Sequence, residues 1–140
     1  MSKDQYINWY GKGRVQTWTT PRDFFDKLHA KYQFTLDGAA DEHNALLPRA
    51  STAFHPLPWN GERVFCNPPW SDIQSFVNLA PYADLAVLLV PARTNSKWFW
   101  NALNTGARVR FFLGRLKFGT AKYCSPVDCL LLEFTNGPTS

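Results

Sequence analysis

Asn67-Pro68-Pro69-Trp70 follows directly on the apolar run Val64-Phe65-Cys66. The side-chain oxygen of Asn67 and the backbone carbonyl of Pro68 are both acceptors, and neither titrates near neutral pH. Two converging acceptors suit a neutral amino group with two N–H donors, such as the exocyclic amine of a nucleobase. Trp70 adds a flat apolar surface for stacking, a contact worth about 1–3 kcal/mol per base. Proline lacks a backbone N–H and has a fixed φ, so a strand ladder cannot run through Pro68 and Pro69. The segment therefore reads as a short buried strand halted by a stiff turn at its carboxyl end, where open α/β sheets hold their ligands. The same four residues also fit a plain proline turn, with Asn67 capping the next helix and Trp70 packed in the core. The rest of the chain has to decide between the two.

The elements around this turn can be read from spacing. Residues 1–17 are polar and aromatic without periodicity and read as an arm. Thr20 suits an N-cap, Pro21 the first helical position and Asp23 the acidic first turn. Phe24, Phe25, Leu28 and Tyr32 then form the buried stripe of a helix ending near residue 32. Gln33-Phe34-Thr35-Leu36-Asp37 alternates as a short strand and runs into Gly38-Ala39-Ala40-Asp41, small residues that would let a ligand approach the backbone. Residues 42–61 are punctuated by Pro48, Pro56, Pro58 and Gly61 and read as loop with at most one helical turn. After the strand at 63–66 and the proline turn, Ser71 and Gln74 resemble a capping box. Ile73, Phe76, Val77 and Ala80 follow at helical spacing.

Leu85-Ala86-Val87-Leu88-Leu89-Val90-Pro91 is continuously apolar, as a central strand covered on both faces requires. Residues 95–104 predict a helix with Trp98, Ala102 and Leu103 facing the core. Val109, Phe111 and Leu113 alternate with Arg108 and Arg110, which predicts a half-exposed strand with a basic face. A loop to Pro126, a final strand at 127–134 and a short tail complete the chain. Helices alternating with strands imply an α/β domain on a mostly parallel sheet, closed by a C-terminal antiparallel hairpin. The expected organisation is an arm at 1–17, one compact domain at 18–135 and a tail at 136–140.

Composition narrows the function classes. The chain has 140 residues, 45% hydrophobic and 16% aromatic, enough for one folded core. Its formal net charge is +4, and the basic residues are unevenly spread. Arg93, Lys97, Arg108, Arg110, Arg115, Lys117 and Lys122 all fall between 93 and 127, a stretch without Asp or Glu. Such a stretch suits a solvated basic face or a surface that tracks phosphates. Cys66, Cys124 and Cys129 lack metal-ligand spacing, and Cys66 and Cys129 read as buried thiols. No apolar run is long enough to span a membrane, and no signal peptide or lipidation motif is present. The expectation is a soluble protein of a reducing compartment, the cytoplasm. His29, His43 and His55 lack a neighbouring nucleophile elbow, which argues against a hydrolase.

Five motifs in this order resemble the phage Dam-type DNA N6-adenine methyltransferases, over roughly residues 17–134. They are Trp18-Thr19-Thr20-Pro21; Leu36-Asp37-Gly38-Ala39-Ala40-Asp41 with Asn44; Asn67-Pro68-Pro69-Trp70; Val90-Pro91-Ala92-Arg93-Thr94 with Lys97-Trp98-Phe99; and Gly114-Arg115-Leu116-Lys117-Phe118. The resemblance implies a Rossmann-like fold that binds S-adenosylmethionine, acts on double-stranded DNA and needs no metal. It also implies a bacterial host cytoplasm for a phage-encoded chain. Residue by residue, it puts Thr19, Thr20 and Pro21 against the methionine end of the cofactor, and Asp37, Gly38, Ala39 and Asp41 at the cofactor turn. Asn67, which also borders the cofactor, Pro68, Pro69 and Trp70 become the catalytic motif. Arg93, Lys97, Arg115, Lys117 and Lys122 become DNA contacts.

The chain departs from the family pattern in three ways. There is no clear strand-ending acid for the cofactor ribose between residues 45 and 60, so Asp41, Glu42 or another contact would have to serve. Gly38 stands alone where many methyltransferases have two or three glycines. There is also no separate target-recognition domain, which leaves loops 45–60 and 114–126 and the arm to read DNA. Two other readings fit part of the pattern. One is an inactive DNA- or cofactor-binding accessory protein; the other is an N4-cytosine methyltransferase, whose usual Ser-Pro-Pro-Trp differs from this motif at its first residue.

Overall fold

The computed structural model describes residues 20–40, 45–52, 56–114, 116 and 128–136. The chain runs through helix α1 (Arg22–Tyr32), strand β1 (Leu36–Asp37), strand β2 (Arg63–Cys66), helix α2 (Ile73–Leu79), strand β3 (Leu85–Pro91), helix α3 (Lys97–Asn104), strand β4 (Arg108–Arg110) and strand β5 (Cys129–Thr135). The five strands form one sheet in the order β1-β2-β3-β5-β4.

Strands β1, β2 and β3 are parallel, in a register that sets Asp37 beside Phe65 and Cys66 beside Leu88. Strand β5 is antiparallel to β3 on one side and to β4 on the other. The sheet is therefore parallel over β1–β3 and mixed beyond them: the expected C-terminal antiparallel pair forms its edge, with β4 outermost and β5 lying between β3 and β4. Because β5 alone is reversed, β4 points the same way as β1, β2 and β3.

The long apolar strand explains the layering. Every residue of β3 is buried. Ala86, Leu88 and Val90 join Val64, Cys66, Leu130, Leu132 and Phe134 under α2 and α3, which add Ile73, Phe76, Val77, Phe99 and Ala102. Leu85, Val87 and Leu89 face the other way with Phe65 and Leu131, and are covered by Phe25 and Tyr32 of α1 and by Phe34. Alternate residues of one strand thus serve two cores, the arrangement expected of a strand buried on both faces.

Several local expectations change in the folded chain. Pro21, at φ −56° and ψ 133°, occupies the cap position of α1, and no side chain caps the helix there. Within the α1 stripe, Phe25 and Tyr32 are fully buried, whereas Phe24 and Leu28 are half-buried. Helix α2 is capped by Asp72, whose carboxylate accepts from the Ser75 amide and hydroxyl, not by the expected Ser71–Gln74 box. Gln74 instead bonds Asn78 and Asn101, linking α2 to α3. In α3 the deepest residues are Phe99 and Ala102, with Trp98 and Leu103 packed at the rim of the same core. Strand β4 stops at Arg110, so the expected inward alternation of Phe111 and Leu113 fails. Both are exposed, and Phe112 turns inward.

Away from the proline turn, a buried polar cluster ties α1 to the sheet. The Tyr32 hydroxyl donates to Glu133, and Arg110 reaches the same carboxylate at 3.1 Å. Burial, and then the bond to Glu133, push the Tyr32 pKa up to about 12. Burial alone would raise the Glu133 pKa, but the bonds from Tyr32 and Arg110 outweigh it and hold the group below the ordinary carboxylate value. A carboxylate with a depressed folded-state pKa contributes stability above its unfolded pKa of about 4.3 and loses it as pH falls through the folded value. Tyr32→Phe should cost about 1–3 kcal/mol at pH 7, because it leaves a buried acceptor short of a donor. In urea unfolding, the gap between wild type and variant should shrink below pH 4; a gap independent of pH would show that the bond to Glu133 is not its source.

Candidate active site at the carboxyl ends of the parallel strands

Co-directional strands deliver their carboxyl ends to one edge of the sheet. There β1 leads into Gly38 and Ala39, β2 into Asn67-Pro68-Pro69-Trp70, β3 into Ala92 and Arg93, and β4 into Phe111. The proline turn is built as its residues dictate. Pro69 is extended at φ −60° and ψ 130°, and residues Trp70–Asp72 form a single 3-10 turn before α2. The Asp72 amide donates to the Pro69 carbonyl at 3.0 Å, which closes that turn. Pro68 is buried, and Asn67, Pro69 and Trp70 are half-buried. Trp70 packs against both hydrophobic clusters, so it spans the end of the sheet from one core to the other.

Thr20 and Asn67 are 47 positions apart, yet they meet here. The Asn67 side-chain amide donates to the Thr20 hydroxyl at 3.1 Å, and Thr20 is itself only 5% exposed. The hydroxyl that looked like a helix cap is therefore spent on the proline turn. Pro21 carries the chain from this contact into α1, since its carbonyl accepts the Phe25 amide at 3.0 Å. The contact fixes one branch of the Asn67 amide to the protein and directs its oxygen to the opposite branch.

The turn after β1 is built by packing. Asp37 is 2% exposed, and its carboxylate accepts from the Leu46 amide at 3.0 Å and the Ala39 amide at 3.3 Å. Burial raises its pKa against the lowering effect of those two bonds. No Lys or Arg among the described residues forms an ion pair with it. Asp37 thus ties the amides of Ala39 and Leu46 to the end of β1. Gly38 answers to a different constraint from the one its sequence suggested. A Cβ there would stand 2.7 Å from Cζ2 of Trp59 and 2.9 Å from Cγ1 of Val64. It is glycine because the fully buried Trp59 ring lies against it. Ala39 is half-buried at the same turn.

Residues 49–51 run beside β1 as a rudimentary outer strand. The Asp37 amide donates to the Arg49 carbonyl at 3.0 Å and the Ser51 amide to the Asp37 carbonyl at 3.0 Å, with Ala50 bridged in parallel to Asp37. The buried Ser51 hydroxyl donates to the Gly38 carbonyl at 3.2 Å. Sequence reading missed this edge because a single bridge leaves no alternating pattern. It also missed Trp59, whose indole N–H finds no hydrogen-bond partner among the described residues. The only signal for Trp59 was an aromatic residue beyond an obvious core stripe.

Among the expected DNA contacts, Arg93 is half-buried and Lys97 is exposed at the first position of α3. The Arg93 carbonyl accepts from the Ser96 amide and hydroxyl at 3.2 and 2.6 Å, and the Trp100 indole donates to Thr94 at 2.7 Å, so this turn is held by its own chain. Thr19, Asp41, Glu42, Arg115, Lys117, Lys122, the arm and Cys124 lie outside the described residues. Cys66 and Cys129 are buried, and burial, with Asp37 nearby, pushes the Cys66 thiol well above its ordinary pKa. Among the described residues there is no cluster of three His, Cys, Asp or Glu able to hold a metal. No helix among them is long and apolar enough to cross a membrane.

The family model described as DNA N-6-adenine-methyltransferase (Dam) matches residues 11–129. No curated protein and no solved structure matches the chain.

The Gly38 contact sets a stability test. Gly38→Ala should destabilise the fold by about 1–3 kcal/mol through overpacking against Trp59 and Val64. The measurement is the urea midpoint, and pairing the change with Trp59→Phe should recover part of the loss. An unchanged midpoint for Gly38→Ala would refute the packing assignment.

Proposed function

Since the chain belongs to the DNA N-6-adenine-methyltransferase (Dam) family, we propose that it transfers the methyl group of S-adenosylmethionine to the exocyclic amine of an adenine flipped out of double-stranded DNA. The observation that carries this reading is the Thr20–Asn67 bond at the end of β2, beside Pro68 and Trp70. It turns a proline corner into a polar group held in a fixed orientation on an apolar shelf.

Several features fit the cofactor. The buried Asp37 carboxyl accepts from the Ala39 and Leu46 amides and has no cation partner among the described residues. Its acceptor oxygens suit a ligand that brings N–H donors. The Trp59 ring packs beside Gly38 through Cζ2, and its indole N–H is a buried donor without a partner among the described residues, which a polar group of a ligand could satisfy. Asp37, Gly38 and Ala39 would hold the cofactor from one side and Thr20, Pro21 and Asn67 from the other. Thr19 and Asp41 join them by the family pattern. When bound, S-adenosylmethionine supplies a methyl group already activated by its sulfonium.

The protein's own task is then positioning and charge stabilisation. Adenine N6 is a weak nucleophile because its lone pair is delocalised into the ring. Asn67 Oδ1 and the Pro68 carbonyl would accept from the two N6–H groups, favour a more pyramidal nitrogen and stabilise the positive charge that develops as the C–N bond forms and the S–CH3 bond breaks, the sulfur leaving as a neutral thioether and the surplus N6 proton passing to water. Neither acceptor has to ionise. Trp70 stacks on the flipped ring, and its anchoring in both cores keeps that surface in place. Thr20 acts through Asn67 and is a positioning residue.

DNA binding falls to the basic stretch. Lys97 stands at the first position of α3, the end where a helix already carries partial positive charge. A cation there is unfavourable within the free protein and becomes favourable beside a phosphate. Arg93, Arg115, Lys117 and Lys122 would extend the same contact along the backbone.

The test is kinetic. Asn67→Ala should lower kcat for methyl transfer to unmethylated duplex DNA by about 100-fold or more, with the urea midpoint little changed. Thr20→Val should lower kcat by about 10-fold, the cost of a loosened polar contact, and Thr20→Ser should restore it. Turnover of Asn67→Ala near wild type would exclude this mechanism.

A further inference from the structure

Two of the largest apolar side chains on the surface stand side by side. Phe111 is 81% exposed and Leu113 is 103% exposed. Between them Phe112 turns inward, its ring 4.8 Å from Phe24, and joins the cluster under α1. The chain then turns at Gly114, whose φ of +93° favours glycine. Phe112 is thus an anchor, and the segment it pins holds its two neighbours out in water.

The position of this ridge follows from the topology. Strand β4 is co-directional with β2 and β3, so residues 111–114 leave the sheet at the edge that carries Asn67 and Trp70. Phe24, which receives Phe112, lies four residues after Thr20, and Thr20 bonds Asn67. The segment carrying the exposed pair therefore lies at the same end of the sheet as the candidate active site and is pinned to α1 through Phe112. Isolated apolar residues on a surface need no explanation, but two on one three-residue segment at the site's end of the sheet do.

We propose that Phe111 and Leu113 form a wedge that enters the DNA duplex at the step vacated by the target adenine. This rests on the base-flipping reading above and adds the residues that would stabilise the emptied duplex. A flipped base leaves unstacked neighbours and an orphaned partner, and proteins that deform DNA fill such gaps with Phe, Leu, Ile or Met. Charge favours DNA over a second copy of this chain as the occupant. The ridge lies in a stretch with seven basic residues and no acidic one, and the chain carries +4 overall. A polyanion complements that surface, whereas a second copy would set like charges against each other.

The test compares two DNA substrates with wild type, Phe111→Ala/Leu113→Ala, and the apolar exchange Phe111→Leu/Leu113→Phe. The first substrate is unmethylated duplex DNA. The second is the same DNA with one strand copied with partial dUTP and treated with uracil glycosylase, so that scattered adenines face abasic sites. On paired DNA the double alanine variant should lose about 10- to 100-fold in kcat/KM, and the apolar exchange should retain most activity. On adenines facing abasic sites the loss should shrink to less than about threefold, because unpairing no longer has to be stabilised. Both side chains are exposed, so the thermal midpoint should not move.

An equal loss on both substrates, or no loss on paired DNA, would overturn the wedge. So would a dimer in sedimentation that the alanine variant dissociates, which would assign the ridge to a second copy. No methyl transfer by wild type on either substrate would instead remove the proposed function on which the wedge rests.

Discussion

The two-sided burial of β3 is the constraint on which the rest of this fold depends. A seven-residue strand with no face toward water must be covered by helices above and below, and by strands on both edges. Helices α2 and α3 cover one face and α1 the other, while β2 and β5 complete its hydrogen bonding. The crossovers this requires bring β1, β2 and β3 in parallel, so their carboxyl ends converge. The site is a consequence of that convergence. It joins the contiguous turn at 67–70 to Thr20, 47 positions away from Asn67.

Chemistry at the edge depends on stopping the strands abruptly. Pro68 and Pro69 stop the chain just after β2, whereas β3 keeps Pro91 as its last residue and the Ala92 amide still reaches the Asp128 carbonyl at 2.8 Å. At β1 the stop is electrostatic as well as conformational, because Asp37 turns its carboxylate onto the Ala39 and Leu46 amides. Trp70, wedged between both cores, transmits the rigidity of the sheet to the turn. Thr20 then couples the entry of α1 to Asn67, so the helix on the far face takes part in orienting the amide. The candidate site is thus preorganised by packing that was required anyway.

Much of this was legible in local pattern. The continuous apolar run gave β3 to the residue, and the halt at Asn-Pro-Pro gave the end of β2. Non-local facts were not legible. Thr20 has ideal cap chemistry, but Asn67, far away in sequence, competes for its hydroxyl. Gly38 fits a ligand-approach turn, and only Trp59, arriving from the end of a proline-rich loop, shows that packing fixes it. The alternation over 109–113 predicts inward Phe111 and Leu113, yet β4 ends after three residues and Phe112 takes the inward place. The insertion of β5 between β3 and β4 has no local signature. An edge strand and an internal one differ in what pairs with them, and both can be apolar.

The central claim is that Asn67 and Pro68 present two acceptors to an exocyclic amine of adenine. The most direct measurement is transfer from methyl-labelled S-adenosylmethionine to unmethylated duplex DNA, followed by digestion and separation of the nucleosides. The account predicts label in N6-methyladenine. Label in N4-methylcytosine would contradict the assignment of the base, and cofactor binding with no labelled nucleoside would contradict the catalytic role of the turn.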